Sequence, residues 1–117
     1  MQIIIQDTAH NSIDNTFEYL SNYSIQNAIE TTEEIYSKIY DLENYPYIGN
    51  YISKMTEIPD KKFREFIYKK RRNQAYRIIY YISEVTDTIH ILYIANCKQN
   101  FHLILKQNNY FSNYLNF

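Results

Sequence analysis

The sequence predicts an α+β fold with the element order β-α-α-β-β-β, in which an antiparallel sheet carries a helical hairpin on one face. Two observations lead to this prediction. Apolar side chains in residues 9–42 recur with a period near 3.6, as in helices, and from residue 62 the period changes to near 2, as in strands. A chain of 117 residues is long enough for one modest core, so we expect a single domain.

The first elements are a short strand and a helical hairpin. The run QIIIQ at residues 2–6 is rich in β-branched side chains, and Asp7 or Thr8 then offers a helix N-cap. A polar break, SNYS at residues 21–24, divides the helical pattern into two antiparallel helices. The apolar positions are Ala9, Ile13, Phe17 and Leu20 in the first helix and Ile25, Ala28, Ile29, Ile35, Tyr36, Ile39 and Leu42 in the second.

A loop and three strands complete the domain. Pro46 and Gly49 end the second helix, and residues 45–61 are predicted to be a connecting loop. The linkers RRNQ and SEVTD are short enough for hairpins, so the strands should form an antiparallel meander. The three strands are predicted at about 63–70, 75–82 and 88–95. We expect one domain over residues 1–105 and a tail over residues 106–117, either a short helix or disordered.

Charge is unevenly distributed along a chain whose net charge is only −1. Residues 1–53 carry one cation against eight acidic residues, whereas residues 54–81 carry nine cations against three. A basic middle segment points to a polyanionic partner. With no long apolar run and no leader-like segment, we expect no membrane partner and a cytoplasmic location. The lone Cys97 and the Cys/His spacing predict no disulfide, no metal site and no cofactor.

Strand alternation sorts the side chains of the meander into two faces, once the turns are centred near residues 72–73 and 85. The predicted pairs are Tyr68 with Arg77, Arg64 with Tyr81, His90 with Tyr81, and Ile94 with Arg77. The face expected to bury the helices carries Glu65, Ile67, Tyr76, Ile78, Tyr80, Ile82, Ile89, Ile91, Tyr93 and Ala95. The other face, expected to be open, carries Arg64, Phe66, Tyr68, Arg77, Ile79, Tyr81, His90, Leu92 and Ile94.

A single arginine, Arg77, interrupts the apolar central strand. An arginine is costly to bury unpaired, so it must find a carboxylate or face water or a ligand. Few carboxylates are expected nearby, and a guanidinium suits phosphate because it donates two parallel hydrogen bonds. Flanking Tyr and Phe rings could stack on bases. The alternative is a solvated surface arginine, and the run KKRR at residues 69–72 is likewise either a solvated hairpin tip or an attraction for nucleic acid.

Together these segments resemble a known family. The strand AYRIIYYI, a polar turn and IHILYIANCKQNF, preceded by a helical hairpin ending in LENYP, look like the RelE/ParE toxins of bacterial type II toxin–antitoxin modules. The resemblance covers residues 2–105 and implies a toxin held inactive by a cognate antitoxin. RelE-like members cut mRNA in the ribosomal A site without a metal, whereas ParE-like members poison DNA gyrase and lack the cleavage residues.

The resemblance also implies site residues. Metal-free cleavage needs a base, cations that offset charge on the phosphorane, and an acid for the leaving oxygen. Lys98 and Phe101 stand where nuclease members commonly have arginine and tyrosine, and His102 is the substitute acid or base. The candidate catalytic residues are Arg64, Arg77, Lys98 and His102. The candidate RNA- or antitoxin-binding residues are Lys69, Lys70, Arg71, Arg72, Tyr68, Tyr81 and His90.

Ribosome-dependent mRNA cleavage is the function we expect from the sequence, because Arg64, Arg77 and the basic segment share one region. Its partners would be the ribosome and mRNA. One alternative is a non-catalytic gyrase poison, which the incomplete acid/base set favours. Another is a degenerate toxin that only binds its antitoxin. An Arg77→Ala variant is expected to lose toxicity and keep its fold, because the side chain is predicted to face solvent.

Overall fold

The computed structural model describes residues 1–52 and 62–98. They form β1 (Gln2–Ile5), α1 (Asp7–Ser21), α2 (Ile25–Asp41), β2 (Asn50–Tyr51), β3 (Phe63–Arg71), β4 (Gln74–Ser83) and β5 (Thr88–Asn96). The predicted α+β fold and the order of its helices and long strands are confirmed. The short β2 is an addition within the predicted loop. The predicted tail at 106–117 lies outside the described residues.

The strands form one mixed sheet in the order β1-β5-β4-β3-β2. β3, β4 and β5 form the predicted antiparallel meander, and β2 adds antiparallel to β3. β1 pairs parallel with β5, from Gln2 opposite Thr88 to Ile5 opposite Ile91. A parallel pair requires a long connection, which the helical hairpin and the other strands supply here. The hairpin thereby comes to lie on one face of the sheet.

The two helices begin differently. α2 begins after Ser24, whose side-chain oxygen accepts a backbone N–H hydrogen bond from the first turn. α1 has Gln6 as its N-cap, without a side-chain capping bond, so the predicted caps Asp7 and Thr8 lie inside the helix. The Thr8 hydroxyl instead donates to the carbonyl oxygen of Leu92 at 2.6 Å, which ties α1 to β5. In the described ranges, no helix has the length and apolar character needed to cross a membrane.

The hydrophobic core lies between the helices and one face of the sheet. Ile35 and Ile39 of α2 share one cluster with Tyr76, Ile78 and Tyr80 of β4, and all five are at most 2% exposed. Burying an isoleucine side chain contributes about 1.5–3 kcal/mol. The full cluster is Ala9, Ile13, Ile35, Ile39, Leu42, Tyr68, Tyr76, Ile78, Tyr80, Ile89, Ile91 and Ile94.

In the first hairpin, the predicted register is correct at the turn and wrong beyond it. Arg71 pairs with Gln74 as predicted, but the ladder shifts by one residue next to that pair. Arg77 therefore lies opposite Ile67, whereas the prediction placed it opposite Tyr68. A β-bulge, in which one strand carries an extra residue, produces a shift of this kind.

In the second hairpin, too, the predicted register is correct near the turn and wrong beyond it. Tyr81 lies opposite His90 as predicted, and the ladder then shifts by one residue further along the strands. Arg77 consequently lies opposite Ala95, and the predicted partner Ile94 is displaced by one position.

A one-residue shift exchanges the two faces of a strand, because side chains alternate with a period of two. The predicted faces are therefore correct for β4 and the start of β5, and reversed for β3 and the end of β5. Arg64, Phe66, Tyr68 and Ile94 belong to the helix side, while Glu65, Ile67, Tyr93 and Ala95 share a face with Arg77. This Arg77 face is not fully open, since Ile79 is 0% exposed and Ala95 1%.

Candidate functional site

Arg77 lies in the middle of β4 and forms an ion pair with Glu65 of β3. Its Nη1 donates a hydrogen bond to Oε2 of Glu65 at 2.8 Å. The Glu65 side chain is 3% exposed and the Arg77 side chain 17%. The two are diagonal neighbours across the ladder, because the residue directly opposite Arg77 is Ile67. The expectation that few carboxylates lie near Arg77 is therefore wrong, and its charge is matched inside the protein.

Arg64 lies on the opposite face of the sheet from Arg77. Its Nη1 donates to the carbonyl oxygens of Gly49 at 2.7 Å and Tyr47 at 3.3 Å. The guanidinium carbon lies 4.2 Å from the ring centroid of Tyr51 and 5.2 Å from that of Tyr47. Arg64 thus fastens the segment that leads into β2. The prediction that both arginines share one face is wrong.

A buried tyrosine holds the same segment from inside. The Tyr80 hydroxyl accepts a hydrogen bond from the Gly49 N–H and donates one to the Pro46 carbonyl oxygen, both at 2.9 Å. Burial raises the pKa of Tyr80, so it stays protonated and able to donate. α2 already ends at Asp41, so Gly49 does not terminate the helix as predicted. It allows the backbone to approach Tyr80 closely.

The KKRR run at residues 69–72 divides into one structural cation and three exposed ones. Lys70 is 8% exposed; its Nζ donates to Thr31 Oγ1 at 3.1 Å and lies 3.6 Å from Glu30 Oε2. A hydrogen bond from Gln26, and then the charge of Lys70, lower the pKa of Glu30. Lys70 therefore joins the β3–β4 hairpin to α2. The other three cations of the run are exposed and accessible to a partner.

Tyr81 and His90 pair across β4 and β5 and stack, with ring centroids 4.6 Å apart and planes 8° from parallel. Gln6 Nε2 donates to His90 Nδ1 at 3.1 Å, so the proton of the neutral ring lies on Nε2, which contacts Thr88 Oγ1 at 2.9 Å. Burial first, and then the charge of Lys62, lower the pKa of His90. His90 is a neutral link between β5 and the end of β1.

Tyr68, which we predicted beside Arg77, is buried on the helix side and is 6% exposed. Its ring stacks on that of Tyr76 with centroids 6.4 Å apart. Its hydroxyl is buried and has no hydrogen-bond partner among the residues that the structure describes. The structure therefore places Tyr68 in the core, away from the surface where a partner would bind.

The end of β5 carries two further residues of interest. Lys98 is exposed, and its backbone N–H donates to Asn96 Oδ1 at 2.9 Å. Burial raises the pKa of the Cys97 thiol, and the neighbouring guanidinium of Arg77 only partly opposes this effect. The candidate acid or base His102 lies outside the described residues.

Sequence reasoning missed two features. The first is the role of Glu65, for which the sequence does contain a signal. Glu65 is the only charged residue on the face predicted to be buried, and an unpaired buried carboxylate is unfavourable. Its position on that face therefore argues against the predicted β3–β4 register. The second is a groove where Arg71, Arg72 and Lys98 converge with Tyr19 at the end of α1. These residues are distant in sequence, and no periodicity brings them together.

The comparisons with known proteins agree with this fold. The family model described as the ParE toxin of the type II toxin–antitoxin system parDE matches residues 3–101. Among solved structures, a chain of the chromosomal ParDE toxin–antitoxin system from P. aeruginosa is similar with a TM-score of 0.61 and 16% identity. The match covers 82% of this chain and 95% of that chain, and it shows a shared fold. No curated protein matches the sequence. Since the family model spans most of its length, the chain belongs to the ParE toxin family of type II toxin–antitoxin systems.

Proposed function

We propose that this toxin arrests growth by poisoning DNA gyrase, without catalysing a reaction of its own. Family membership makes it the toxin component of a type II toxin–antitoxin module and implies a cognate antitoxin. The target is the proposed part. It replaces the expectation of mRNA cleavage with the alternative in which the protein is a binding inhibitor.

The ion pair between Arg77 and Glu65 carries this proposal. A guanidinium stabilises a phosphorane best when its donor nitrogens are directed at the substrate. Here Nη1 of Arg77 donates to a carboxylate 2.8 Å away that is 3% exposed. A substrate phosphate would have to displace that carboxylate and leave it buried and unpaired, which is strongly unfavourable. An arginine engaged in this way supports a structural role.

Two other described candidates, Arg64 and His90, do not supply what Arg77 lacks. Arg64 lies on the far side of the sheet, where it binds backbone carbonyl oxygens. His90 has both ring nitrogens in hydrogen bonds, so neither is directed at a substrate proton. Metal-free RNA cleavage needs an acid, a base and cations around one phosphate. Within residues 1–52 and 62–98, Arg64, Arg77 and His90 are not directed at one common position. This arrangement supports a binding inhibitor over a nuclease.

Gyrase assays with the purified chain test the proposal. With gyrase, ATP and supercoiled plasmid, added toxin should leave linear DNA after detergent and protease treatment, because trapped cleavage complexes then release broken DNA. In cells, induction should stop growth, and primer extension should find intact transcripts. Co-expression of the antitoxin, expected in the adjacent gene, is the control and should restore growth.

Two outcomes would contradict gyrase poisoning. Codon-register cuts in mRNA, with gyrase activity unchanged, would establish the nuclease. Normal growth on induction of a folded chain that still binds its antitoxin would identify a degenerate toxin.

A further inference from the structure

We propose that a groove at the C-terminal end of α1 binds single-stranded nucleic acid. This groove, here called the basic groove, lies between α1, the β3–β4 turn and the neighbouring ends of β4 and β5. It is defined by Tyr19, Arg71, Arg72, Tyr76, Asn96 and Lys98. Binding here does not involve the Arg77–Glu65 pair, and it does not depend on gyrase being the target.

The basic groove is continuous. It consists of two adjoining cavities of about 410 and 450 Å³, which share Tyr19, Tyr76, Asn96 and Lys98. The first cavity extends along the β3–β4 turn, and the second extends along α1 as far as Ser12. A groove that joins two cavities end to end suits a chain-like ligand better than a compact one.

Its charge is of one sign. Arg71, Arg72 and Lys98 line the groove, and no acidic side chain of the described residues does. All three cations are exposed, and none takes part in a salt bridge within residues 1–52 and 62–98. Glu30, the acidic residue near the turn, is already paired with Lys70. Because the whole chain has a net charge of −1, attraction for a polyanion must come from such a local cluster.

Exposed tyrosines supply a stacking surface beside these cations. Tyr19 is 60% exposed, and the ring of Tyr23, which is 77% exposed, lies 5.5 Å away between centroids. Nucleic-acid bases stack on aromatic faces of this kind whatever their sequence. Asn15 and Asn73 also line the groove, and their amides can bond to base edges or sugars.

The combination of cations and exposed rings favours a single strand over two other anionic partners. The bases of a duplex are stacked on one another, so they do not reach a side-chain ring at the protein surface. The carboxylates of an acidic peptide would pair with the cations but leave the tyrosine faces in water. Single-stranded DNA and RNA share the phosphates and bases that use both features.

Fluorescence anisotropy with the full-length chain tests the proposal. Labelled oligodeoxythymidine and oligouridine are titrated at low salt, with a duplex of equal length and a poly-glutamate peptide for comparison. Both single strands should bind more tightly than the duplex or the peptide. With three phosphate contacts, the logarithm of the binding constant should fall against the logarithm of salt concentration with a slope of about −2.

Variants assign the binding to the groove. Arg71→Gln, Arg72→Gln and Lys98→Gln should each weaken binding and make the salt slope shallower by about 0.7. Tyr19→Ala should weaken binding by about fivefold to a hundredfold with an unchanged slope, because it removes stacking and not charge. Lys69→Gln is the matched control: Lys69 is an exposed cation of the same run that does not line the groove, so binding should not change.

All the substituted side chains are exposed, so circular dichroism should confirm an unchanged fold before binding is compared. Equal binding by the parent and all groove variants would overturn the proposal. So would tighter binding of poly-glutamate than of either oligonucleotide, which would make the groove a site for an acidic peptide. If the parent chain binds the oligonucleotides but does not poison gyrase, only the proposed function is contradicted.

Discussion

Replacing Arg77 by alanine should destabilise the fold by about 3–5 kcal/mol, because the change strands a buried carboxylate. The magnitude follows from the surroundings of Glu65. Exposed ion pairs are worth about 0–1 kcal/mol, since water replaces the lost partner. The Glu65 side chain is 3% exposed and accepts the Arg77 hydrogen bond at 2.8 Å, so little water can reach it. A domain of ordinary stability, about 5–15 kcal/mol, would lose a large fraction of it.

Urea titration followed by circular dichroism measures the loss directly. For a domain of this size about 1 kcal/mol corresponds to roughly 4 °C in the midpoint temperature, so thermal unfolding should shift down by about 12–20 °C. Arg72→Ala is the matched control, because Arg72 is exposed and forms no salt bridge with a described residue. Its effect should stay within about 0.5 kcal/mol.

A double variant separates stability from a direct role in toxicity. Glu65→Leu combined with Arg77→Met replaces the ion pair by apolar side chains of similar size, which is often neutral or stabilising. If this variant is stable and still toxic, Arg77 serves the fold alone. An Arg77→Ala variant that keeps its stability but loses toxicity would refute the structural interpretation, and it would support the phosphate site that the sequence first suggested.

Three further changes test other contacts in the molecule. Burial lowers the pKa of folded His90 below its ordinary value of 6.5, so the unfolded chain takes up the proton first. The contribution of His90 to stability should therefore be complete above about pH 6.5 and decrease as the pH falls through the folded pKa. Urea titrations over this pH range should show a smaller decrease in stability for His90→Gln than for the parent. Burial raises the pKa of the Cys97 thiol, so a thiol reagent should modify the folded chain more slowly than the urea-unfolded chain at the same pH; equal rates would contradict this protection. Gly49→Ala would place a Cβ 2.5 Å from the Tyr80 hydroxyl oxygen and 2.7 Å from the Glu65 carbonyl oxygen, so we expect a loss of about 1–3 kcal/mol in urea titration, whereas an unchanged midpoint would mean that the segment moves aside freely.

The helices and long strands could be predicted because each depends on local periodicity. The predicted strands at 63–70, 75–82 and 88–95 differ from β3, β4 and β5 by at most one residue at either end. The turns also set the first pairs of each hairpin correctly. The strand that pairs with β1 and the partner of Arg77 depend on contacts between distant residues, so periodicity does not contain them.

The first register shift has a tertiary origin. Lys69 pairs with Ala75 and Arg71 with Gln74, which leaves Lys70 as the extra residue of a β-bulge. Its ammonium group bonds to α2 and is nearly buried. A lysine within a run of four cations is expected to be solvated, so sequence reasoning had no ground for assigning it a buried contact.

The second shift leaves Leu92 as the extra residue, because Tyr80 pairs with Ile91 and Ile79 with Tyr93. Here too a helix holds the bulge: Thr8 donates to the Leu92 carbonyl oxygen at 2.6 Å, and Ser12 Oγ accepts the Ile94 N–H at 3.0 Å. The two bulges flank β4, and each moves the neighbouring strand by one position. The shift in β3 turns Tyr68 toward the helices and brings Glu65 to the face of Arg77. Polar contacts from the helices thus determine whether the strand arginine meets an aromatic surface or a carboxylate. In this chain it meets a carboxylate, so exposed cations such as those of the basic groove are better placed to bind an anionic partner.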